Sequence, residues 1–316
     1  MPRILSDISR QDYKNFEILL LESGENQQNT STVILGKKSK NLRYFHKPGL
    51  PRTRALNFLV KESTGGLLIR LDARSHIDPD YISRIVQLSK KTGATNVGGV
   101  MWPLGETRTQ RIIACLMQSP LVFGGAKFRK PGFYGEAETV YLGAFRKQDV
   151  PFQEWFDGKH PKISEDSDLN YRLRKAGKKI FIDCALHAFH FPRENLKSFF
   201  KLCFNYGNGR GIFLLKHRAG LAPRQAVILI SVSLFALLLI MSFKYSFAVV
   251  LFTALILVYV GIIVLEAIRQ ELEIKDKMEF SWGAFGCHFF WIIGLIFSPI
   301  QFLKDLRIYR SNSPSP

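Results

Sequence analysis

The sequence predicts an α/β domain, with a mostly parallel sheet and helices on both faces, followed by C-terminal transmembrane helices. Two observations carry this reading. Over residues 1–195, apolar runs of strand length alternate with segments of helical spacing, the order that builds parallel strands joined by helical crossovers. Beyond them, Gln225–Phe243, Tyr245–Leu265 and Phe280–Leu303 contain no Asp, Glu, Lys or Arg, and a bilayer-spanning helix needs ~20 apolar residues.

The elements follow in order. FEILLLESG (Phe16–Gly24) is a continuous apolar run closed by Gly, as suits a strand covered on both faces. LPRTRALNFLVKES (Leu50–Ser63) has helical spacing, with Pro51 near its start. GGLLIRLDA (Gly65–Ala73) is a second strand. DPDYISRIVQLSKKTG (Asp78–Gly93) is a helix with an Asp cap, Pro in the first turn, and Lys90, Lys91 and Gly93 as its stop. NVGGVMWP (Asn96–Pro103) is another strand. Phe123–Tyr141 is Gly-rich and aromatic, a loop expected over the site. EDSDLNYRLRKAGKKIFID (Glu165–Asp183) returns a helix, a Gly stop and a strand.

The formal net charge is +18, which calls for an anionic partner. Its distribution points to a membrane rather than nucleic acid. Lys197–Arg224 holds six Lys and Arg and no Asp or Glu, interleaved with Phe199, Phe200, Phe204 and Phe213, directly before the first uncharged run. This reads as an amphipathic segment on an anionic leaflet, and no nucleic-acid motif accompanies it. The expected organisation is a catalytic domain over 1–195, a basic interface segment over 196–224, a membrane region of two to three helices over 225–303 and a polar tail over 304–316. The positive-inside rule keeps the basic segment and RQELEIKDK (Arg269–Lys277) cytoplasmic. The third run, followed by Lys304, Arg307 and Arg310, suits a re-entrant or interfacial helix near Pro299 and His288. MPRILSDISRQDY has no apolar signal core, so the domain is expected to stay cytoplasmic at a multi-pass inner-membrane protein. The four cysteines show no ligand spacing, as in a reducing compartment.

Two places carry chemistry. Asp72 follows a strand, where a carboxylate meets a divalent metal or a ribose, and Arg74 stands two residues on. The alternative is an ordinary turn. Glu165, Asp166 and Asp168 crowd one helix start; acids there also suit the helix dipole, or one serves as general base. His187 and His190, in CALHAFHFPR, are late ligands or structural strand residues.

Five segments together, LPRTRALNFLVKESTGGLLIRLDARSHIDPDYI, TGATNVGGV, SPLVFGGAKFR, TVYLGAFRK and EDSDLNYRLRKAGKKIFID, resemble the family 2 glycosyltransferases of the GT-A fold. The likeness is to the bacterial membrane-anchored enzymes of succinoglycan and exopolysaccharide synthesis, and it covers roughly Ile4–Arg224. It implies inverting transfer of a sugar from a nucleotide sugar, usually a UDP-sugar, to a polyprenyl-diphosphate-linked glycan, with Mg2+ or Mn2+. On this resemblance Asp166 is the catalytic base, preceded by Glu165. Asp72 is the first acid of a DxD-type motif, with Arg74 in place of the second. His190 is a further candidate for the metal. Gly124, Gly125 and Arg129, in GGAKFR, belong to an acceptor-side loop. FNYGNGRG (Phe204–Gly211) stands where processive synthases carry QxxRW.

The resemblance begins one strand late. The family starts with an apolar strand ending in Pro and Asn-Glu, whereas RILSDISRQDYKNFEILLLESG looks like the following helix and second strand. Glu22 then stands where the family has an Asp contacting the base, and SGENQQNT replaces DGxSxDGT. A start upstream of Met1 is the expected cause; a degenerate paralogue, or another segment filling the sheet, are the alternatives. A catalytically inactive scaffold of a polysaccharide assembly complex is the competing function.

Overall fold

The computed structural model describes residues 2–25, 41–160, 162, 164–218 and 223–311. The chain forms two units, an α/β unit (Met1–Leu104, Ala126–Pro192, Ser298–Pro316) and a helical unit (Gly105–Gly125, Arg193–Phe297). The α/β unit thus takes in residues beyond 298, and the helical unit takes in a stretch of the expected catalytic domain.

In the α/β unit, helix α1 (Pro2–Ser9) buries Ile4 and Ile8. Its Asp7 carboxylate, closed to solvent, pairs with Arg10 and with His76 Nδ1, each at 2.8 Å. Strand β1 (Ile18–Glu22) pairs in parallel with β2 (Leu42–His46); β2 was not among the expected strands. Then come α2 (Arg52–Glu62), β3 (Leu67–Ile69), β4 (Ser75–Ile77), α3 (Tyr81–Thr92), β5 (Asn96–Pro103), β6 (Gly135–Glu136), β7 (Tyr141–Arg146), α6 (Glu165–Lys175) and β8 (Ile180–His190). Helices α4 and α5 fall in the other unit. Gly93 ends α3 at φ +63°, in the left-handed region that a stop requires.

The expected α/β class is what the unit has, but its sheet is mixed rather than mostly parallel. The order is β3-β7-β5-β8-β4, with β6 on β8. β5–β8 is parallel; β3–β7, β5–β7, β4–β8 and β6–β8 are antiparallel. The reason lies in two returns that apolar runs do not reveal: a tight turn sends β4 back from β3, and β7 enters between β3 and β5 in the reverse sense. Alternation along β7 covers both faces. Leu142 and Ala144 join α1 and α3 in one core, while Phe145 joins Leu169 and Leu173 of α6 in the other.

No backbone ladder among the described residues joins β1 to β3; β1 and β2 stand as their own two-stranded sheet. The Glu17 carboxylate just ahead of β1 instead accepts from Thr64 N–H (2.6 Å), Thr64 Oγ1 (2.7 Å) and Gly65 N–H (3.2 Å) before β3. Residues 26–30 of SGENQQNT lie outside the described residues.

The helical unit holds α4 (Arg108–Gln118), α5 (Pro120–Phe123), α7 (Leu196–His217), α8 (Pro223–Ser242), α9 (Ser246–Arg269) and the greater part of α10 (Ile274–Ser311). Among the described residues, two helices are long and apolar enough to cross a membrane, Ser246–Arg269 and Ile274–Tyr309, and Ala226–Ser242 is a shorter apolar one. In α7, Phe199, Cys203, Ile212 and Phe213 are buried within the unit, so much of the aromatic content of the basic segment goes into packing. α7 and α10 approach backbone to backbone: a Cβ on Gly207 would collide with the Trp291 carbonyl, and one on Gly294 with the Phe204 carbonyl. All four cysteines are free.

The tail expected from residue 304 is helical through Ser311, continuing past Pro299. Gln301 Nε2 donates to Asp305 Oδ1 at 2.5 Å one turn on. In the α/β unit, Phe302 stacks on His160 at 4.3 Å and Lys159 Nζ lies 5.4 Å from the Tyr309 ring.

Candidate active site

The ladders bring the carboxyl ends of β3, β5 and β8 to one edge of the sheet, where open α/β sheets bind ligands. Asp72 follows β3 there, and His190 closes β8 opposite Ser75. α6 leads back into β8, so its first turn, with Glu165 and Asp166, comes to the same edge. The helix is fixed by fully buried Leu169 and Leu173, by Asn96 Nδ2 donating to Asn170 Oδ1 at 2.8 Å, and by Asn170 Nδ2 donating to Thr139 Oγ1 at 2.7 Å.

Two arginines that the motif reading passed over close this edge. Arg52 is the first residue of α2, after Pro51. Arg70 is held by its N–H donating to the Gly143 carbonyl at 3.0 Å, one step beyond the β3–β7 ladder. Each guanidinium bridges the same two acids. Arg52 Nη2 lies 3.3 Å from Asp72 Oδ1 and its Nε 2.8 Å from Glu165 Oε1. Arg70 Nε lies 3.4 Å from Asp72 Oδ1 and its Nη2 3.0 Å from Glu165 Oε1. Arg70 and Glu165 side chains are 17% and 14% exposed, Asp72 33% and Arg52 56%.

This arrangement sets the protonation states. Burial pushes the Asp72 carboxyl up, but Arg70 and then Arg52 outweigh it and leave it below the ordinary range. Burial likewise opposes the Arg70 charge, and Asp72 and Glu165 more than restore it. Asp166 goes the other way. Burial first and the neighbouring Glu165 second raise its carboxyl above the ordinary value, against Arg70, Arg52 and the Ser167 N–H donating to Oδ1 at 2.8 Å. A raised carboxyl beside a fixed cationic pair suits acid–base work.

The other expected residues fall as follows. Arg74 does not reach Asp72: its Nη1 donates to the Pro192 carbonyl at 3.3 Å. The Asp72–Ser75 turn, with Ser75 N–H and Oγ both donating to the Asp72 carbonyl at 2.9 and 2.5 Å, swings it away. Its expected place beside Asp72 belongs to Arg70 and Arg52. In an extended strand, residues i and i+2 share a side, so an Arg interrupting the apolar run LLIRLD two residues before Asp72 was the available signal. Arg52 left no comparable one. Asp168 is buried and pairs with Arg172 at 3.0 Å, a structural acid.

His190 Nδ1 lies 3.0 Å from the Tyr141 hydroxyl, and the ring's charge bears on Asp72. His187 instead faces Asp78 at 4.0 Å. Glu22 ends β1 and accepts from the Tyr44 hydroxyl at 2.8 Å. Gly124 takes φ +69° after α5 and, with neighbouring Gly125, belongs to the helical unit, while Arg129 ends a 3-10 turn in the α/β unit with its guanidinium 5.0 Å from the Phe128 ring.

The donor set fits a divalent cation poorly. Mg2+ and Mn2+ are held by carboxylates together with phosphate, and Asp72, the carboxylate here, already shares Oδ1 between two guanidinium groups. Unit charges ~4 Å apart act on each other by about 4 kcal/mol at an effective dielectric of ~20. A dication on Asp72 would be repelled by roughly twice that from each Arg, less where solvent screens Arg52. Among the described residues no three His, Cys, Asp or Glu side chains converge.

Residues 1–132 match the model of glycosyl transferase family 2. The succinoglycan biosynthesis protein ExoA of Rhizobium meliloti (strain 1021) is 31% identical over 193 residues, 60% of this chain; the match spans only 58% of ExoA's own length. The dolichyl N-acetyl-alpha-D-glucosaminyl phosphate 3-beta-D-2,3-diacetamido-2,3-dideoxy-beta-D-glucuronosyltransferase of Methanococcus voltae is 22% identical over 292 residues, 87% of this chain and 85% of that one. Among solved structures, GalNAc-T7 with UDP, GalNAc and Mn2+ is a loose likeness, with TM-score 0.46 and 11% identity over 66% of this chain and 47% of that one. Of the residues gathered at this edge, Arg52, Arg70 and Asp72 lie within the stretch that matches glycosyl transferase family 2, and Glu165 and Asp166 lie beyond it.

Proposed function

We propose that the chain is an inverting glycosyltransferase that moves a sugar from a nucleotide sugar, UDP-linked in the first instance, to a lipid-linked or polysaccharide acceptor in cell-surface glycan synthesis. The observation that carries this is Asp166. Its carboxyl is raised by burial and Glu165 at the carboxyl edge of the sheet, beside two guanidinium groups. As base, Asp166 takes the proton of the acceptor hydroxyl while that oxygen attacks the anomeric carbon from the face opposite the diphosphate. The bond to the diphosphate breaks with its electron pair, the nucleoside diphosphate departs, and the anomeric configuration inverts. The family resemblance calls for Mg2+ or Mn2+ at Asp72 and His190. One carboxylate held by two arginines does not suit that ion, so no step is routed through it.

The M. voltae relative is named for a dolichyl phosphate-linked acceptor, which supports a polyprenyl-linked acceptor here. The apolar helices support anchoring in the inner membrane, with the α/β unit cytoplasmic and α7 against the anionic leaflet. Gly124, Gly125 and Arg129 are assigned to the acceptor side, and Glu22 to the nucleoside.

The test is nucleotide release from a panel of UDP-sugars by membranes containing the full chain and a polyprenyl-linked acceptor, beside Asp166→Asn. Turnover that vanishes in the variant supports the reading. The second reading, an inactive scaffold, draws on the absence of a ladder between β1 and β3 among the described residues. Silence of the folded wild-type chain would favour it.

A further inference from the structure

We infer that the cationic partner of the nucleotide diphosphate in this chain is the Arg52–Arg70 guanidinium pair, so that nucleotide binding needs no divalent metal. This rests on the glycosyltransferase reading above and names what holds its donor.

Three observations converge. First, both guanidinium groups pair with the same two acids, through Nε and Nη2 of each arginine. Second, Nη1 of each makes no hydrogen bond among the described residues, so N–H donors remain for a ligand. The planar fork of a guanidinium matches phosphate oxygens two at a time. Third, the two differ in access. Arg70 is tied through its backbone to β7 and is mostly buried, while Arg52, at the start of α2, is 56% exposed. Arg70 is therefore the fixed element and Arg52 the one that turns to an arriving diphosphate.

Asp72 and Glu165 hold the guanidinium planes rather than binding a metal. As the glycosidic bond to the diphosphate breaks, its electron pair stays on the leaving phosphate oxygen, and that charge is met by N–H donors. No proton moves at the arginines, which remain charged throughout. The proton released in the reaction is the acceptor's, taken by Asp166.

The experiment measures binding of UDP and GDP to the detergent-solubilised full chain by titration calorimetry, in EDTA and again with millimolar Mn2+ or Mg2+. The expected result is binding whose affinity agrees within about threefold between the two conditions, and which Arg52→Gln weakens about tenfold to a hundredfold, with Arg52→Lys intermediate. Affinity about tenfold or more weaker in EDTA and restored by the metal would overturn the inference and leave the glycosyltransferase reading standing. So would an Arg52→Gln variant that folds and binds like the wild type. A folded chain that binds neither nucleotide under either condition overturns both. The metal comparison is made on the wild-type chain, so it holds even if a variant fails to fold.

Discussion

Replacing Arg70 by Met removes one corner of the four-residue charge cluster and keeps most of the side chain's length. Arg70 lies 3.0 Å from Glu165 and 3.4 Å from Asp72. Unit charges ~3–3.5 Å apart attract by about 5 kcal/mol at an effective dielectric of ~20, but that gross figure is offset by the desolvation both partners undergo on folding. Removing one partner of a buried pair costs about 3–5 kcal/mol. Arg52 still holds both acids, and Asp72 is one-third exposed, so a net loss of about 2–4 kcal/mol is expected. For a unit of this size 1 kcal/mol moves Tm by about 2–4 °C, so Arg70→Met should melt roughly 4–16 °C lower. The assay is thermal unfolding of the solubilised full chain, for Arg70→Met, Glu165→Gln and the double variant. Because the two side chains are in contact, their effects should fall short of additive by about 1–3 kcal/mol. An Arg70→Met chain that melts like the wild type, or strict additivity in the double variant, would refute this account.

Other outcomes follow from the same geometry. Asp166 is raised above its ordinary value and works ionised, so the rate should fall as pH drops through that raised value. Arg70→Met, which removes a group holding Asp166 down, should move this limb to higher pH. Asp166→Asn should abolish the limb and lower turnover by about 10²–10⁴. Stability takes the opposite sign. The ionised buried carboxylate opposes folding above its folded pKa and not below the unfolded value of about 3.9, so Asp166→Asn should hold or raise Tm at neutral pH. A drop in Tm would make the residue structural. Arg74→Ala, whose guanidinium points to the Pro192 carbonyl, should change stability by no more than about 0.5 kcal/mol and leave nucleotide affinity intact; a large loss of affinity would return Arg74 to the site. Gly294→Ala drives a methyl onto the Phe204 carbonyl, where backbone cannot step aside, and should cost about 1–3 kcal/mol. Gly261→Ala meets open space and should cost nothing comparable. Equal protease resistance of the two variants would refute close backbone packing of α7 against α10.

Local chemistry in the sequence was enough to determine the elements around the site. The apolar run at β1, the Gly93 stop after α3, the strand at β5 and the acid-rich start of α6 each depend on neighbours a few residues away, through burial, capping and the helix dipole. The uncharged runs likewise announced α8, α9 and α10 by composition alone. What only the tertiary structure decided is which charges meet. Arg52 and Glu165 are distant in sequence, and they share a site because α2 and α6 both begin at the carboxyl edge of one sheet. Arg74 stands beside Asp72 in sequence yet leaves it, because a turn bonded through Ser75 redirects the chain. The mixed sheet has the same origin. An apolar strand buries equally well in either direction, and its direction is set by where the returning chain finds an open edge. Side-chain identity fixes what a residue can do, but chain path fixes which partner it does it with.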